Sequence, residues 1–565
     1  MRKPFPIKKS RLNSGLLGTK SYQEQKQDAK EINMQQHQQA HQATCAKNLD
    51  KKSEPKNIQI HTDVARNKTY LTELFSKCSD IILHEIQIIN GPNMLLLKVD
   101  GLADTSHFDD NVLKSLMLSP GVAAQMDQQP PYTAEELMMR FIPMGQSKIM
   151  KTMSEAIDHV LTGDTVVFFN GYDQAIAISA KKWEHRAPEE PSTEAVVRGP
   201  REGFVESIRT NTALLRRRIR TVDFKIESLK VGRVTKTDVA LAYIEGIVTD
   251  SVVDELRTRL ERIDIDGVID SGYIVEFIED QPLSPFPQIQ STERPDTVTA
   301  CLLEGRCVIL IDGSPFTLIA PVNIWGSLQA NEDYYQRFLA ATIIRWIRYI
   351  FTLMALLLPS MYIAITTFHQ EMLPTNLLLS LAAAREASPF PALVEAFIME
   401  ITFEALREAG VRLPKAVGQA VSIVGALVIG QAAVQAGIVS SPMVIIVSVT
   451  GIANFTIPRY EFALGIRILR FPLMILAGTF GLYGIVIGLI AIIGHICALR
   501  SVGVPYAAPL APFSIKGLKD TLLRAPWYSM NWRPRLFGYQ NSVRVPKGQK
   551  PRPPQQNVPK RRGGS

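Results

Sequence analysis

The pattern of apolar positions divides this chain into two halves that suit different solvents. Up to about residue 325, short β-rich runs alternate with amphipathic stretches, which is typical of sheets covered by helices. From residue 341 onward, long uncharged apolar runs replace that alternation. The pattern therefore predicts a soluble α/β half followed by an α-helical polytopic transmembrane domain.

The soluble half contains two hairpin signals. Asn170-Gly171 and Asp312-Gly313 each separate two β-rich runs, and such dipeptides favour the tight turns that connect antiparallel strands. An amphipathic helix is predicted over residues 147–161, ahead of the first hairpin. Two hairpins with their own helices predict a two-lobed α/β arrangement.

Composition separates further segments at the two ends of the sequence. The head is rich in Gln and Lys and has too few apolar residues to offset the entropy of ordering, so we expect disorder there. The tail has no acidic residue after Asp520, while ten Lys or Arg follow, and this excess favours contact with anionic lipid. The predicted segments are a disordered head (1–66), a first α/β lobe (67–195), a basic connector helix (196–221), a second α/β lobe (222–326), a transmembrane helical domain (327–505) and a basic, Pro-rich, partly disordered tail (506–565).

Four uncharged runs are candidates for membrane spans. The last of them would measure about 43 Å as one helix, which exceeds a hydrocarbon thickness of about 30 Å, so it tilts, protrudes or breaks. The span count stays open between about four and six, because the charged segment 391–410 either spans or lies in the interface. The cations of the tail and the arginines before the first run favour cytoplasmic placement of the soluble half and the tail. The runs are 349–368, 417–439, 442–457 and 471–499.

Segment 391–410 carries the most unusual chemistry of the apolar half. Glu400, Glu404 and Glu408 repeat every four residues and form a carboxylate ridge beside an apolar helical stripe. Acidic groups at membrane depth are costly and normally face a cavity, a pore or a partner. Glu400 and Glu404 are therefore candidates for lining a pore or cavity, together with Asn454 from a neighbouring run. The alternative is an interfacial helix whose carboxylates are solvated.

Motifs for enzymatic chemistry are missing from the sequence. It contains no P-loop, no zinc-protease helix and no nucleophile elbow, so we expect no enzyme activity and no cofactor. The cysteines are far apart and include no C-x-x-C pair, and no histidine stands near Cys301 and Cys307 to complete a zinc set, so no metal site is predicted. Unpaired cysteines also suit a reducing compartment.

The basic segment 196–221 first suggests a phosphate loop, because glycines precede a run of arginines. The lysine and hydroxyl positions of a P-loop are absent, and no nucleic-acid reader motif accompanies the arginines. An amphipathic connector helix remains. Arg209, Arg216 and Arg217 are its candidates for inter-lobe or inter-subunit contacts, and a solvated face is an equally weighted alternative.

Several long segments resemble a known family. The resemblance is to the A subunit of GerA-type spore germinant receptors, and the long head is similar to that of the KA branch. It extends over residues 68–540 and implies a non-enzymatic subunit in the spore inner membrane, with its soluble half on the cytoplasmic side. The segments that carry it include EGFVESIRTNTALLRRRI (202–219), ERPDTVTACLLEGRCVILIDGSPFTLIAPV (293–322), SPFPALVEAFIMEITFEALREAGVRLP (388–414) and IPRYEFALGIRILRF (457–471).

The resemblance also implies partners and a role. Such subunits work with a permease-like B subunit and a lipoprotein C subunit, and they self-associate. The leading hypothesis is an oligomeric, nutrient-gated cation pathway. A scaffold or signal relay that conducts nothing is the alternative from another class. A secondary transporter is a weaker alternative, because paired Gly- or Pro-broken helices in two related halves are missing.

Overall fold

The computed structural model describes most of the chain beyond the head. The predicted head lies almost entirely outside the described residues, as do parts of the 417–439 run and of the tail. The described residues are 58–87, 93–103, 147–179, 191, 194, 196–412, 428, 430–534, 538 and 541–551.

The first part of the soluble half is an antiparallel sheet covered by helices. It begins with helix α1 (Val64–Leu74), and helix α2 (Met153–Leu161) lies between its strands in the sequence. The strands pair in the order β1-β2-β4-β5-β3, and their apolar side chains form one core with both helices. The strands are β1 (Ile81–Gln87), β2 (Asn93–Val99), β3 (Ser147–Met150), β4 (Thr165–Phe169) and β5 (Ala175–Ile178).

The single helix predicted over 147–161 is wrong for its first residues. Ser147–Met150 is an edge strand paired with β5, and α2 starts only at Met153. The sequence contains the reason, because the Thr152 hydroxyl accepts a hydrogen bond from the Glu155 amide and so caps a helix that begins after it. The helical spacing of apolar residues continues into Ser147–Met150, so spacing alone does not distinguish this four-residue strand from the helix that follows it.

The second part of the soluble half is also an antiparallel sheet covered by helices. Its strands pair in the order β6-β7-β9-β10-β8, which is the order of the first sheet with each strand number raised by five. The elements in chain order are α3 (Ile208–Arg218), β6 (Phe224–Val231), β7 (Thr237–Ile244), α4 (Asp250–Arg262), α5 (Ser271–Ile278), β8 (Gln290–Thr292), α6 (Pro295–Glu304), β9 (Cys307–Ile311) and β10 (Thr317–Ala320).

The first and second parts of the soluble half are called the first and second units from here on. In both units, the last hairpin makes the same contact with the first helix. Asn170, in the β4–β5 turn, accepts a hydrogen bond from the Val64 amide at the start of α1. Asp312, in the β9–β10 turn, accepts the equivalent bond from the Ile208 amide at the start of α3. Both predicted hairpins are therefore present, and each one closes its own unit.

The first helices of the two units also match each other. The Asn67 side chain exchanges two hydrogen bonds with the backbone of His61, and Asn211 exchanges the same two with the backbone of Val205. Both asparagines are buried. Helix α3, which the sequence suggests as a connector, thus holds in the second unit the place that α1 holds in the first.

Long helices make up the second half of the chain. Among the described residues, α7 and α11 are long and apolar enough to cross a membrane, and α10 is a shorter apolar helix. The described end of the 417–439 run is helical at 430–435. The helices are α7 (Phe338–Phe368), α8 (Thr375–Arg385), α9 (Ala392–Arg412), α10 (Ser441–Phe455) and α11 (Tyr460–Ala498), with two single-turn helices, Ile324–Ser327 and Glu332–Tyr335, ahead of α7.

Helix α11 is a helical hairpin, not a single rod. Gly481 interrupts it with φ 62° and ψ −140°, a backbone conformation that residues with a side chain rarely adopt. The interruption divides α11 into a first arm (460–480) and a second arm (482–498). The uncharged run predicted at 471–499 is therefore broken at Gly481, which is one of the outcomes its length left open.

Glycines let the two arms approach each other closely. A Cβ on Gly484 would collide with the Leu476 carbonyl, and one on Gly488 would collide with the Leu473 side chain. On a straight helix the first pair would be about 12 Å apart, so these contacts require the arms to run antiparallel. The first arm measures about 32 Å and the second about 26 Å, both close to the thickness of a bilayer core.

After the second arm, the chain returns to the second sheet. The Ser501 hydroxyl donates to the Gln288 carbonyl and accepts from the Val322 amide. Farther on, the Tyr349 hydroxyl of α7 donates to the Thr521 carbonyl at 2.6 Å. The C-terminal segment thus packs at the same end of the helices as the second sheet. Its elements are β11 (Arg500–Ser501), β12 (Val504–Pro505) and α12 (Ile515–Thr521).

Candidate functional site

Glu400 and Glu404, on α9, face two arginines on the first arm of α11. Arg470 Nη1 donates to Glu400 Oε2 at 2.6 Å, and Arg467 pairs with Glu404. The higher-numbered glutamate of α9 pairs with the lower-numbered arginine of the arm, so the two helices run antiparallel at this contact. The Glu400 and Arg470 side chains are each only 4% exposed. A pair this deeply buried is strongly destabilised when one partner is removed.

A proline in α7 provides a further partner for Arg470. Pro359 has no amide hydrogen, so the Ala355 carbonyl four residues earlier lacks its usual partner within the helix. Arg470 Nε donates to that carbonyl at 2.8 Å. The guanidinium group therefore joins α7, α9 and the first arm at one point.

Arg407 and Asn454 lie near the same cluster. Arg407 is 3.5 Å from Glu404 and stacks on Phe455 of α10, with 4.9 Å from its guanidinium carbon to the ring centre. Asn454 precedes Phe455 and is buried, and its Oδ1 has no hydrogen-bond partner among the described residues. The three residues predicted to line a pore or cavity thus come from two helices that meet at Arg407.

We call the five residues Glu400, Glu404, Arg407, Arg467 and Arg470 the charged ladder. It holds three guanidinium groups and two carboxylates, and Glu408 lies exposed one turn further along α9. Five buried ladder atoms have no hydrogen-bond partner among the described residues: Glu400 Oε1, Arg407 Nε, Arg407 Nη1, Arg467 Nε and Arg470 Nη2. Each unpartnered atom destabilises the observed arrangement by about 1–3 kcal/mol, so the ladder keeps capacity for a second arrangement or an incoming ion.

Sequence reasoning missed one fully buried carboxylate, Glu395. Its Oε2 accepts hydrogen bonds from the Ser440 amide at 3.2 Å and hydroxyl at 2.7 Å, just before α10 begins. Its Oε1 has no hydrogen-bond partner within the described part of the chain. A carboxylate at a helix N-terminus is favourable because the first amides are unsatisfied. The four-residue spacing drew attention to Glu400 and Glu404, although Glu395 is also acidic and lies in the same apolar segment.

Arg467 and Arg470 were also missed as site residues. Their signal was present, because two arginines three apart immediately precede the uncharged 471–499 run. What the sequence did not supply was the identity of the facing helix. That identity depends on the antiparallel pairing of α9 with the first arm, a tertiary contact.

Comparison with known proteins decides the family. The family model of the Bacillus/Clostridium GerA spore germination proteins matches residues 69–536. This chain belongs to the GerA spore germination family. The resemblance seen in the sequence is thereby confirmed.

Two relatives of this GerA-family chain match over nearly their full length. The uncharacterized membrane protein YfkQ of Bacillus subtilis strain 168 is 47% identical, over 88% of this chain and 96% of its own. The spore germination protein KA of the same strain is 44% identical, over 88% of this chain and 90% of its own. A crystal structure of the N-terminal domain of the A subunit of the Bacillus megaterium spore germinant receptor GerK3 aligns with 47% of this chain and 97% of its own, with 35% identity and a TM-score of 0.38.

The three predicted contact arginines of the GerA-family chain occupy different environments. Arg216 is fully buried, whereas Arg209 is largely exposed and pairs with Asp100 near the end of β2. Arg217 pairs with Glu202, which lies a few residues before α3, the helix that contains Arg217. The structure therefore brings Arg209 and Arg216 against the first unit and pairs Arg217 with a residue of the second.

Arg216, on α3, makes several polar contacts at the junction between the two units. Its Nε and Nη2 both donate to the Asp80 carboxylate at 2.8 Å, and its Nη1 donates to the Phe224 carbonyl at 2.9 Å. Beside it, the Ser79 amide donates to the Ile226 carbonyl, so the segment before β1 lies along β6. A buried bidentate pair and backbone bonds thus join the units at one place.

Side chains that can bind metals are dispersed in the described part of this protein. There, no three His, Cys, Asp or Glu side chains come together in a way that could hold an ion. Among the described cysteines, Cys78, Cys301 and Cys307 are buried free thiols, and burial raises the pKa of each of them.

Proposed function

We propose that this chain is the A subunit of a nutrient germinant receptor in the spore inner membrane, acting with a permease-like B subunit and a lipoprotein C subunit. Membership in the GerA family carries this proposal. Support comes from relatives named as spore germination proteins, among them the KA protein of Bacillus subtilis and the GerLA protein of Bacillus cereus.

The proposal includes a topology. The helices α7, α9 and α10 and both arms of α11 cross the bilayer, and the uncharged sequence of the 417–439 run suits the sixth crossing, while the soluble half and the C-terminal segment lie on the cytoplasmic side. Two observations support it: the candidate spans are apolar, and the C-terminal segment packs at the same end as the second sheet. Arg345 and Arg348, in the first turns of α7, pair with Asp333 at that end, as expected for an inside boundary.

The charged ladder acts in this proposal as a latch on a cation pathway between copies of the chain. In the arrangement described, Arg470 and Arg467 neutralise Glu400 and Glu404, and a cation gains little from carboxylates that are already paired. Nutrient binding elsewhere in the receptor would separate the pairs. Glu400, Glu404 and Asn454 would then present oxygen atoms to a passing cation.

Opposite substitutions in the ladder test the latch. Replacing Glu400 and Glu404 together by Gln should lower nutrient-triggered cation release, because the pathway loses its carboxylates. Replacing Arg467 and Arg470 by Gln should raise release without nutrient, because the carboxylates lose their partners. The measurement is potassium efflux from purified spores, with and without nutrient, alongside the amount of assembled receptor.

Controls come from the exposed ends of neighbouring helices. Glu386→Gln, after α8, and Arg337→Gln, before α7, remove one charge of each sign from exposed positions and should leave release unchanged. If the glutamate and arginine variants alter release in the same direction, the ladder is not a latch. Equal loss of assembled receptor in both would show that the ladder serves folding alone.

A second candidate function is a signal relay that conducts nothing. The observation that favours it is the excess of arginine in the ladder, since three guanidinium groups repel cations. Under this alternative, the ladder fixes the register of α9 against α11, and another subunit carries the ions. Ion flux through the reconstituted complex distinguishes the latch from the relay. If the A subunit is a relay, replacing Glu400 and Glu404 by Gln should leave the conductance of the complex unchanged.

A further inference from the structure

A proline-rich loop of the second unit lies between the two arms of α11. Phe286 packs against Phe462 of the first arm at 5.8 Å and stacks on His495 of the second arm at 6.2 Å between ring centres. The Ser284 hydroxyl lies 2.9 Å from His495 Nε2, and a Cβ on Gly465 would collide with the Pro285 carbonyl. These contacts fix the height of the loop along the helices.

That height corresponds to the end of a membrane span. His495 lies in the last turn of the second arm, which ends at Ala498. A loop at the level of the last turn of a spanning helix lies at the boundary between headgroups and acyl chains. Leu283, in the same loop, is 100% exposed within the chain. A fully exposed leucine at this depth removes its apolar surface from water when a bilayer is present.

A cavity opens beside the loop, between α4, the end of α5 and the end of α11. Its volume is about 800 Å³, and Arg262, Phe277, Ala498 and Arg500 contribute to its lining. Phe277 is half exposed, as expected for an aromatic side chain at a membrane interface. The cavity is large enough for a lipid headgroup, and it borders the helix end where headgroups would lie.

The charges of the cavity leave two arginines available. Arg259 is engaged by Glu255 and Asp280, and Glu279 accepts a hydrogen bond from the Gln288 amide. Arg262 and Arg500 are exposed and make no ion pair with any described residue.

We propose that the 282–287 loop and this cavity form a bilayer-contact site, in which Leu283 and Phe277 enter the interface and Arg262 and Arg500 hold the phosphate of an anionic phospholipid. The proposal rests on the membrane insertion of α11 put forward above. It assigns the second unit a direct contact with lipid, separate from any contact made by the basic tail. The site requires a ligand that has both a charged phosphate and apolar acyl chains. A free anion in solution has no acyl chains.

Depth-dependent fluorescence quenching tests the site in the full-length chain. A bimane label is placed on Leu283→Cys, in a background where Cys45 and Cys497 are replaced by serine, and the protein is reconstituted into vesicles that contain brominated lipids. Val234→Cys is the matched control, because Val234 is 77% exposed in the turn at the other end of the second sheet from Ala320. We expect quenching and a blue shift for Leu283→Cys and neither for Val234→Cys.

A third label separates this proposal from the topology on which it rests. Ile490 is 65% exposed in the middle of the second arm, so Ile490→Cys should be quenched if α11 spans the bilayer. Quenching at Ile490→Cys without quenching at Leu283→Cys overturns the bilayer-contact site alone. Absence of quenching at both positions overturns the topology and the site with it.

Lipid charge is tested with brominated phosphatidylglycerol against brominated phosphatidylcholine, each diluted in unlabelled phosphatidylcholine. Quenching of Leu283→Cys should be stronger with the anionic lipid. The double variant Arg262→Gln, Arg500→Gln should remove that preference, because each arginine is expected to raise the apparent affinity for the anionic lipid about fivefold. Inorganic phosphate at millimolar concentration should not compete. Competition by phosphate, or an unchanged preference in the double variant, would overturn the assignment of these arginines.

Discussion

Replacement of Arg216 by Met gives the sharpest test of the junction between the two sheets. The substitution keeps the aliphatic stem and removes a guanidinium group that makes two bonds to Asp80 and one to the Phe224 carbonyl. Asp80 is then left buried without its cation. Breaking a buried pair in this way destabilises a protein by about 3–5 kcal/mol, which corresponds to about 10 °C in the melting temperature of a unit of this size.

Cys78 provides a local reporter for this prediction. It lies two residues before Asp80, its thiol is buried, and burial raises the pKa of the thiol, so it reacts only after the junction opens. Full-length protein in detergent is heated with a thiol-reactive dye, and labelling at Cys78 is located by mass spectrometry. The expected result is labelling of Arg216→Met at a temperature about 10 °C lower than for the unmodified chain.

The matched control is Arg209→Met, on the same helix. Arg209 is largely exposed in its pair with Asp100, and exposed pairs contribute less than about 1 kcal/mol, so its labelling temperature should shift by about 2 °C or less. Adding Asp80→Leu to Arg216→Met removes the stranded charge and should recover part of the loss. Equal shifts for the two single variants would refute the assignment of Arg216 as the inter-unit contact.

Two further predictions concern pH and backbone conformation. Burial raises the pKa of the Asp520 carboxyl from 3.8 to about 6, so docking of the C-terminal segment on α7 should be strongest below about pH 4 and should weaken by at most about 3 kcal/mol as the pH rises to about 6. In Asp520→Asn, docking should not depend on pH in this range. The measurement is hydrogen exchange over residues 515–525, corrected for intrinsic exchange rates. Gly481→Ala should destabilise the helical half by about 1–3 kcal/mol in detergent melting curves, because its φ is 62° and its Cβ would lie 2.9 Å from His369 Nε2, whereas Gly494→Ala, which meets no neighbouring atom, should be neutral or slightly stabilising.

Local signals in the sequence predicted many of the elements. Asn170-Gly171 and Asp312-Gly313 form the hairpins they indicate, since a positive φ is needed at each glycine and both adopt one. The duplication of the two units was also readable, because Asn67 recurs as Asn211 within similarly patterned helices. Each hairpin dipeptide indicates only its own turn, so the repeat is visible only when the two helices that contain these asparagines are aligned with each other.

Contacts between distant segments could not be predicted in the same way. Arg216 looked like one basic residue among several on a solvated face, and only the position of Asp80 makes it a buried contact. The acidic spacing on α9 identified Glu400 and Glu404, but their pairing with Arg470 and Arg467 depends on which helix lies opposite. Apolar helices of similar composition give no signal for that choice, because lipid and protein neighbours favour the same residue types.

The spacing of the ladder supports a second register for the proposed latch. Carboxylates recur every four residues along α9 and the arginines lie three apart on the facing arm, so a slide of one turn, about 5.4 Å, would pair Arg470 with Glu404 and Arg467 with Glu408. Glu400 alone would then be free. The first arm can transmit such a slide, because its base is tied to the soluble half through Arg459, which pairs with Glu194.

Glu408 distinguishes this slide from a simple separation of the pairs. It belongs to neither of the two resting ladder pairs and would meet Arg467 only in the second register, so Glu408→Gln should lower nutrient-triggered cation release, because that register loses one of its two pairs. The same efflux measurement on spores checks it, with Glu386→Gln as the exposed control. Triggered release that equals that of the unmodified receptor would mean that the ladder opens without changing register, and that the four-residue repeat on α9 serves only the resting state.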